Sequence, residues 1–216
     1  NFKKILDLSF TNKLGALNSS ENLIIIWPET AITDLNYLSK SKLFNKIKLN
    51  LKKEEYIISG SFRIEQGELP KFYNSVLAID KNLSKTFIYD KKHLVPFGEY
   101  VPFSGILNKL GFNFIGLQKS KNSNNLINLK NIPKFKTLIC YEIIFPGRYS
   151  NSKNKAVFLL NLTNDAWFGN TSGPHQHFAN TIFRAIEEGR NIIRVANTGI
   201  SASVDPLGRI IQKIDL

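Results

Sequence analysis

Eight short apolar runs, rich in β-branched residues, recur along the chain at residues 23–27, 56–62, 74–80, 86–89, 137–141, 156–162, 192–196 and 200–205. Each is bounded by Gly, Pro or polar punctuation, which predicts strands. Several are continuous rather than alternating, among them Ile24-Ile25-Ile26 and Phe158-Leu159-Leu160. A strand with one wet face alternates apolar and polar residues, so these runs predict strands covered on both faces. Residues 34–49 and 174–189 read as helices. The second places Phe178, Ile182, Ala185 and Ile186 on one face at spacings of three and four, and Gly189 is placed to end it. Residues 119–131 and 150–155 have loop composition. A layered α/β core follows, without internal repeat or heptad seam.

The 216 residues, 43% of them hydrophobic, are enough to bury one substantial core, and no compositional break divides them. One domain spanning residues 1–216 is expected. The chain carries 29 Lys and Arg against 17 Asp and Glu, a formal net charge of +12. Such a field attracts nucleic acid and anionic lipid headgroups alike. The lysines are spread among asparagines as on solvated faces, and neither interleaved aromatics nor a recognised binding motif accompanies them, so no nucleic-acid partner is expected. No apolar run is long enough to span a bilayer. The chain begins at Asn1 and contains no Met, which suggests a piece of a longer protein.

The single cysteine excludes an internal disulfide and leaves Cys140 as either a small buried residue or a reactive thiol. Three segments at predicted strand ends decide between these: Trp27-Pro28-Glu29-Thr30, then 91–99 (KKHLVPFGE), then Cys140-Tyr141-Glu142. A carboxylate, an amine and a thiol form the parts list for nucleophilic catalysis on a carbonyl. Glu29 would take the thiol proton from Cys140. Lys91 would place positive charge beside the oxyanion, joined by the backbone N–H of Tyr141. Taken singly each has a plainer explanation: core packing for the thiol, a helix-start carboxylate for Glu29, a surface amine for Lys91. His93 reads as a structural hydrogen-bonder, because the three histidines lack metal-ligand spacing. No metal or other cofactor is called for.

Taken together, these segments resemble the nitrilase, or carbon-nitrogen hydrolase, superfamily, whose Glu-Lys-Cys triad occurs in this order. Within it the wording is closer to the apolipoprotein N-acyltransferase family: WPET at 27–30, KKHLVPFGEYVPF at 91–103, ICYEIIFP at 139–146 and NLTNDAWFG at 161–169, followed by QHF, FRAIE, GRNIIR and NTGISA within 173–202. The resemblance covers about residues 24–209. It implies a four-layer α-β-β-α sandwich on the periplasmic face of the bacterial inner membrane, preceded by transmembrane helices.

The chemistry implied is transfer of an acyl chain from a phospholipid, through a thioester on Cys140, to the amino group of an apolipoprotein's N-terminal diacylglyceryl-cysteine. Glu29, Lys91 and Cys140 are then catalytic. Glu99, Tyr141 and Glu142 support them, with Glu99 holding Lys91, and Trp167 touches substrate. Two departures stand out: no strand is evident before the WPET segment within residues 1–18, and His175 stands where relatives commonly have an aromatic. The apolar, glycine-punctuated stretch 103–117 suits an arm dipping into the bilayer. The alternative is a soluble amidase using the same triad on a small amide.

Overall fold

The computed structural model describes residues 2–11, 23–33, 42–82, 84–103, 116–120, 124–147 and 156–215. Two sheets lie face to face. The first has the order β1-β2-β3-β4, from β1 (Ile24–Ile32), β2 (Tyr56–Glu65), β3 (Lys71–Ile79) and β4 (Lys85–Asp90). The second has the order β10-β9-β8-β7-β6-β5, from β5 (Leu126–Ile127), β6 (Phe135–Ile139), β7 (Phe158–Thr163), β8 (Asn191–Ala196), β9 (Ser201–Val204) and β10 (Ile210–Ile214). β1 and β2 run parallel, as do β6, β7 and β8; the remaining pairs are antiparallel.

The continuous apolar runs are explained by three stacked cores. Ile58, Val76, Ala78, Ile139, Leu160 and Leu162 meet between the sheets. Their chain neighbours point the other way, because successive strand residues face opposite sides. Ile57, Leu77 and Ile79 pack outward with Leu6 of α1 (Phe2–Thr11) and Ile47 of α2 (Lys42–Asn50). Leu138, Leu159 and Ile192 pack outward with Phe178 and Ala185 of α3 (Gly173–Glu188). The result is the expected α-β-β-α sandwich.

Helix α3 ends as its sequence indicates. Gly189 takes a left-handed φ of 59°, and the N–H of Arg190 donates to Ala185 O at 3.1 Å. Elsewhere the structure departs from the pattern. The run 137–141 stops as a strand at Ile139, and residues 140–144 form a 3₁₀ turn. The loop-like 119–131 contains β5. Of the predicted helix 34–49, residues 34–41 lie outside the described residues, as do 104–115 of the proposed arm and the loop at 150–155. Helix α1 and strand β10 were not anticipated. Leu6 is the one fully buried residue among the described side chains of α1, and every residue of β10 is exposed, so neither carries a strong two-sided pattern.

Candidate functional site

Glu29 sits on a bulge. β1 follows β2 in register from Ile24↔Tyr56 to Trp27↔Ser59, then slips and resumes at Ile32↔Ser61. Four residues of β1 therefore arch over one residue of β2, Gly60. Pro28 offers no N–H to the ladder and Thr30 adopts φ 54°, so both favour the break. A Cβ at position 60 would lie 2.5 Å from Glu29 Cα and 2.7 Å from Pro28 O. Gly60→Ala is thus expected to lift the arch, costing about 1–3 kcal/mol of stability and slowing alkylation of Cys140. Thermal melts and a labelling time course measure both effects.

Cys140 occupies the sharp turn between β6 and the 3₁₀ segment, at φ 47°. A non-glycine residue held in the left-handed region is uncommon and marks a position the surroundings must enforce. Its carbonyl faces His177 Nε2 at 3.3 Å and Asn161 Nδ2 at 3.5 Å. Burial and the nearby Glu29 charge push the thiol pKa up to about 11, against the opposing pull of Lys91. At neutral pH the thiol therefore needs a base.

Lys91 lies at the end of β4, 1% exposed. Its Nζ donates to Glu99 Oε1 at 2.8 Å and lies 3.9 Å from Glu29 Oε1. Burial acts to lower its pKa, but Glu29, Cys140 and Glu99 outweigh burial and raise it, so the amine holds its charge. The Glu29 carboxyl is raised: burial dominates over the opposing Lys91 charge and the Asn74 hydrogen bond. A carboxylate of raised proton affinity beside a thiol suits a general base.

Glu29, Lys91, Glu99, Cys140, Tyr141 and Trp167 all line one cavity of about 340 Å³. A second chamber of about 620 Å³ shares the Glu29, Glu99 and Trp167 wall and adds Phe62, Phe72 and Leu117. Trp167, 75% exposed, stands between the two. Glu142 does not line either chamber. Its Oε1 accepts hydrogen bonds from the Tyr89 hydroxyl and from the backbone N–H groups of Lys92 and His93, and its Oε2 from that of Ile139. It thereby ties the segment after Lys91 to the strand before Cys140. Tyr141 and Glu142 diverge, as they would on an alternating strand, although residues 140–144 form a 3₁₀ turn instead. The His93 ring packs on Phe145 at 4.7 Å.

Sequence reasoning overlooked the buried polar layer under Cys140. Asp165 Oδ1 meets His177 Nδ1 at 2.7 Å, and Arg194 donates to Asp165 Oδ2 at 2.6 Å and to Asn161 Oδ1 at 2.8 Å. The signal was available: Asn161 and Arg194 interrupt apolar strands covered on both faces, where a polar side chain must find partners. Cys140, Asp165 and His177 present ligand atoms within 4.8 Å of one another, the geometry of a small metal site. Both Asp165 oxygens are already engaged, one by a guanidinium, which leaves little acceptor capacity for a cation.

Comparison with known proteins agrees with this architecture. The carbon-nitrogen hydrolase family model matches residues 15–216. The chain is 44% identical over 199 residues to an apolipoprotein N-acyltransferase from Agrobacterium fabrum, covering 89% of this chain and 37% of the relative. It is 42% identical over 213 residues to another from Rickettsia prowazekii, covering 95% of this chain and 42% of that relative. The chain thus spans well under half the length of these relatives. Among solved structures, an amidase from Nesterenkonia sp. superposes with TM-score 0.68 at 16% identity, over 100% of this chain and 80% of that one. A carbon-nitrogen hydrolase from Helicobacter pylori G27 superposes with TM-score 0.67 at 16% identity, over 100% of this chain and 81% of that one.

Proposed function

The chain belongs to the carbon-nitrogen hydrolase family, and from that premise we propose that it is the catalytic domain of an apolipoprotein N-acyltransferase. The observation that carries the chemistry is the convergence of Glu29 from the β1 bulge, Lys91 from the end of β4 and Cys140 from the turn after β6 on one cavity. In this reading Glu29 accepts the Cys140 proton and the sulfur attacks the ester carbonyl of a phospholipid. Lys91 and the Tyr141 N–H hold the oxyanion. The C–O bond breaks, lysophospholipid leaves with the proton from Glu29, and the acyl chain remains as a thioester. The amino group of a diacylglyceryl-cysteine then attacks, Glu29 takes its proton, and the thiol is restored as the amide forms. No cofactor enters either half-reaction.

Glu99 anchors Lys91 in this scheme, and Trp167, exposed at the junction of the chambers, meets the lipid substrates. The 40–45% identity to N-acyltransferases over about nine-tenths of the chain supports this reading over the amidase alternative. The reading takes residues 1–216 as one domain of a longer inner-membrane protein, on its periplasmic side. No described helix is itself long and apolar enough to cross a membrane. The test is to incubate the full-length protein with labelled phospholipid and search by mass spectrometry for an acyl adduct on Cys140. The adduct should be discharged by a diacylglyceryl-cysteinyl peptide. No adduct, together with turnover of small amides, would establish the amidase instead.

A further inference from the structure

We propose that Asn74 is a positioning residue that gives the two oxygens of Glu29 different tasks, holding Oε1 in a bridge to Glu99 and leaving Oε2 to take the proton from Cys140. The proposal rests on the reading of Cys140 as nucleophile and Glu29 as its base, and asks how one carboxylate among two is selected.

Asn74 lies on β3, 3% exposed. Its Nδ2 carries two hydrogens, and two carboxylates use them: Nδ2 donates to Glu29 Oε1 at 2.7 Å and to Glu99 Oε1 at 3.2 Å. Lys91 Nζ lies near the same two oxygens, at 3.9 Å and 2.8 Å respectively. One ammonium and one amide thus hold together two carboxylates that would otherwise repel. Glu99 is then fully committed, since its Oε2 accepts the N–H of Val95 at 2.8 Å. Glu29 keeps a spare oxygen: Oε2 makes no hydrogen bond among the described residues. Asn74 also fixes Lys91 from behind, its backbone carbonyl accepting the Lys91 N–H at 2.8 Å.

The chemistry favours an amide here over a second cation. A lysine or arginine at position 74 would hold Glu29 ionised and weaken it as a base, whereas a neutral donor orients the carboxylate with a smaller loss of proton affinity. The charged and titratable groups that act on Glu29 are Lys91, Glu99, Cys140 and Arg194. Of these, Lys91 Nζ stands 3.9 Å from Glu29 Oε1, against 2.7 Å for the Asn74 amide.

Alkylation of Cys140 by iodoacetamide, followed from pH 5 to 9 on the full-length protein, reads base-assisted loss of the thiol proton without any lipid substrate. Losing the Asn74 hydrogen bond removes an influence that lowers the Glu29 pKa, so the acidic limb of the profile moves to higher pH. In Asn74→Ala the limb is expected to rise by about one pH unit, with alkylation at any pH on the wild-type limb slower by about tenfold. Asn74→Asp keeps the shape but adds a third carboxylate, and should move the limb further. A limb at the wild-type position in either folded variant, whether or not the rate falls, overturns the proposal. Should Asn74→Ala not fold, Asn74→Asp decides alone. An enzyme that forms no phospholipid adduct yet shows the shift would sink the acyltransferase reading and leave this one standing.

Discussion

Cys140→Ser is expected to lose the acyl adduct altogether, and Lys91→Ala to form it about two to three orders of magnitude more slowly. The serine variant fails because Glu29, a carboxyl of raised proton affinity, can assist a thiol but is far too weak a base for a hydroxyl. In the proposed mechanism the alanine variant keeps nucleophile and base and removes the cation aimed at the oxyanion. In a site where Lys91 is 1% exposed, no water replaces that charge at little cost. Its loss also leaves Glu29 and Glu99 facing each other with only the Asn74 amide between them, so the Glu29 carboxyl is driven further towards its protonated form. Single-turnover labelling with phospholipid measures both variants. An adduct formed at the wild-type rate by Lys91→Ala would remove the amine from the mechanism.

The parts of this site that the sequence disclosed are those carried by unusual residues in short motifs. Glu29 after Trp-Pro, Lys91 opening a long motif and Cys140 after an apolar strand each stand out locally, and the structure places them around one cavity. The fold was legible for a related reason. Ile57 and Ile58, or Leu159 and Leu160, are both buried because each serves a different core, and only a layered arrangement requires that.

What stayed hidden depends on contacts between distant strands. Asn74 reads as one polar residue near the start of an apolar run, and nothing local shows that its amide will meet Glu29, 45 residues away. Glu142 was expected to support the triad, but nothing local shows how: the 3₁₀ turn directs it beneath the site, where it ties the segments on either side. Gly60 is similarly silent. Its absent side chain matters only because β1 arches over it.

Arg194→Met is expected to destabilise the protein by about 3–5 kcal/mol, the usual result of removing one partner from a buried ion pair. Arg194 is 1% exposed and its guanidinium serves three acceptors: Asp165 Oδ2, Asn161 Oδ1 and the carbonyl of Ile200. Methionine fills part of the volume and satisfies none of them. The Asp165 carboxyl feels burial first, which acts to raise its pKa. The hydrogen bond with His177 and the charge of Arg194 overcome burial and hold it below the usual carboxylate value. A folded-state pKa depressed in this way adds stability above the unfolded value, and that stability is lost as pH falls through the folded value. The variant should therefore gain less stability than wild type between acidic and neutral pH, as well as melting lower. Because His177 and Asn161 both reach the Cys140 carbonyl, loosening Arg194 should also relax the strained φ of Cys140 and slow its alkylation. Urea unfolding at two pH values, paired with alkylation rates on the folded variant, separates the two effects. A variant as stable as wild type at neutral pH would show that Arg194 and its ion pair with Asp165 contribute nothing to the fold.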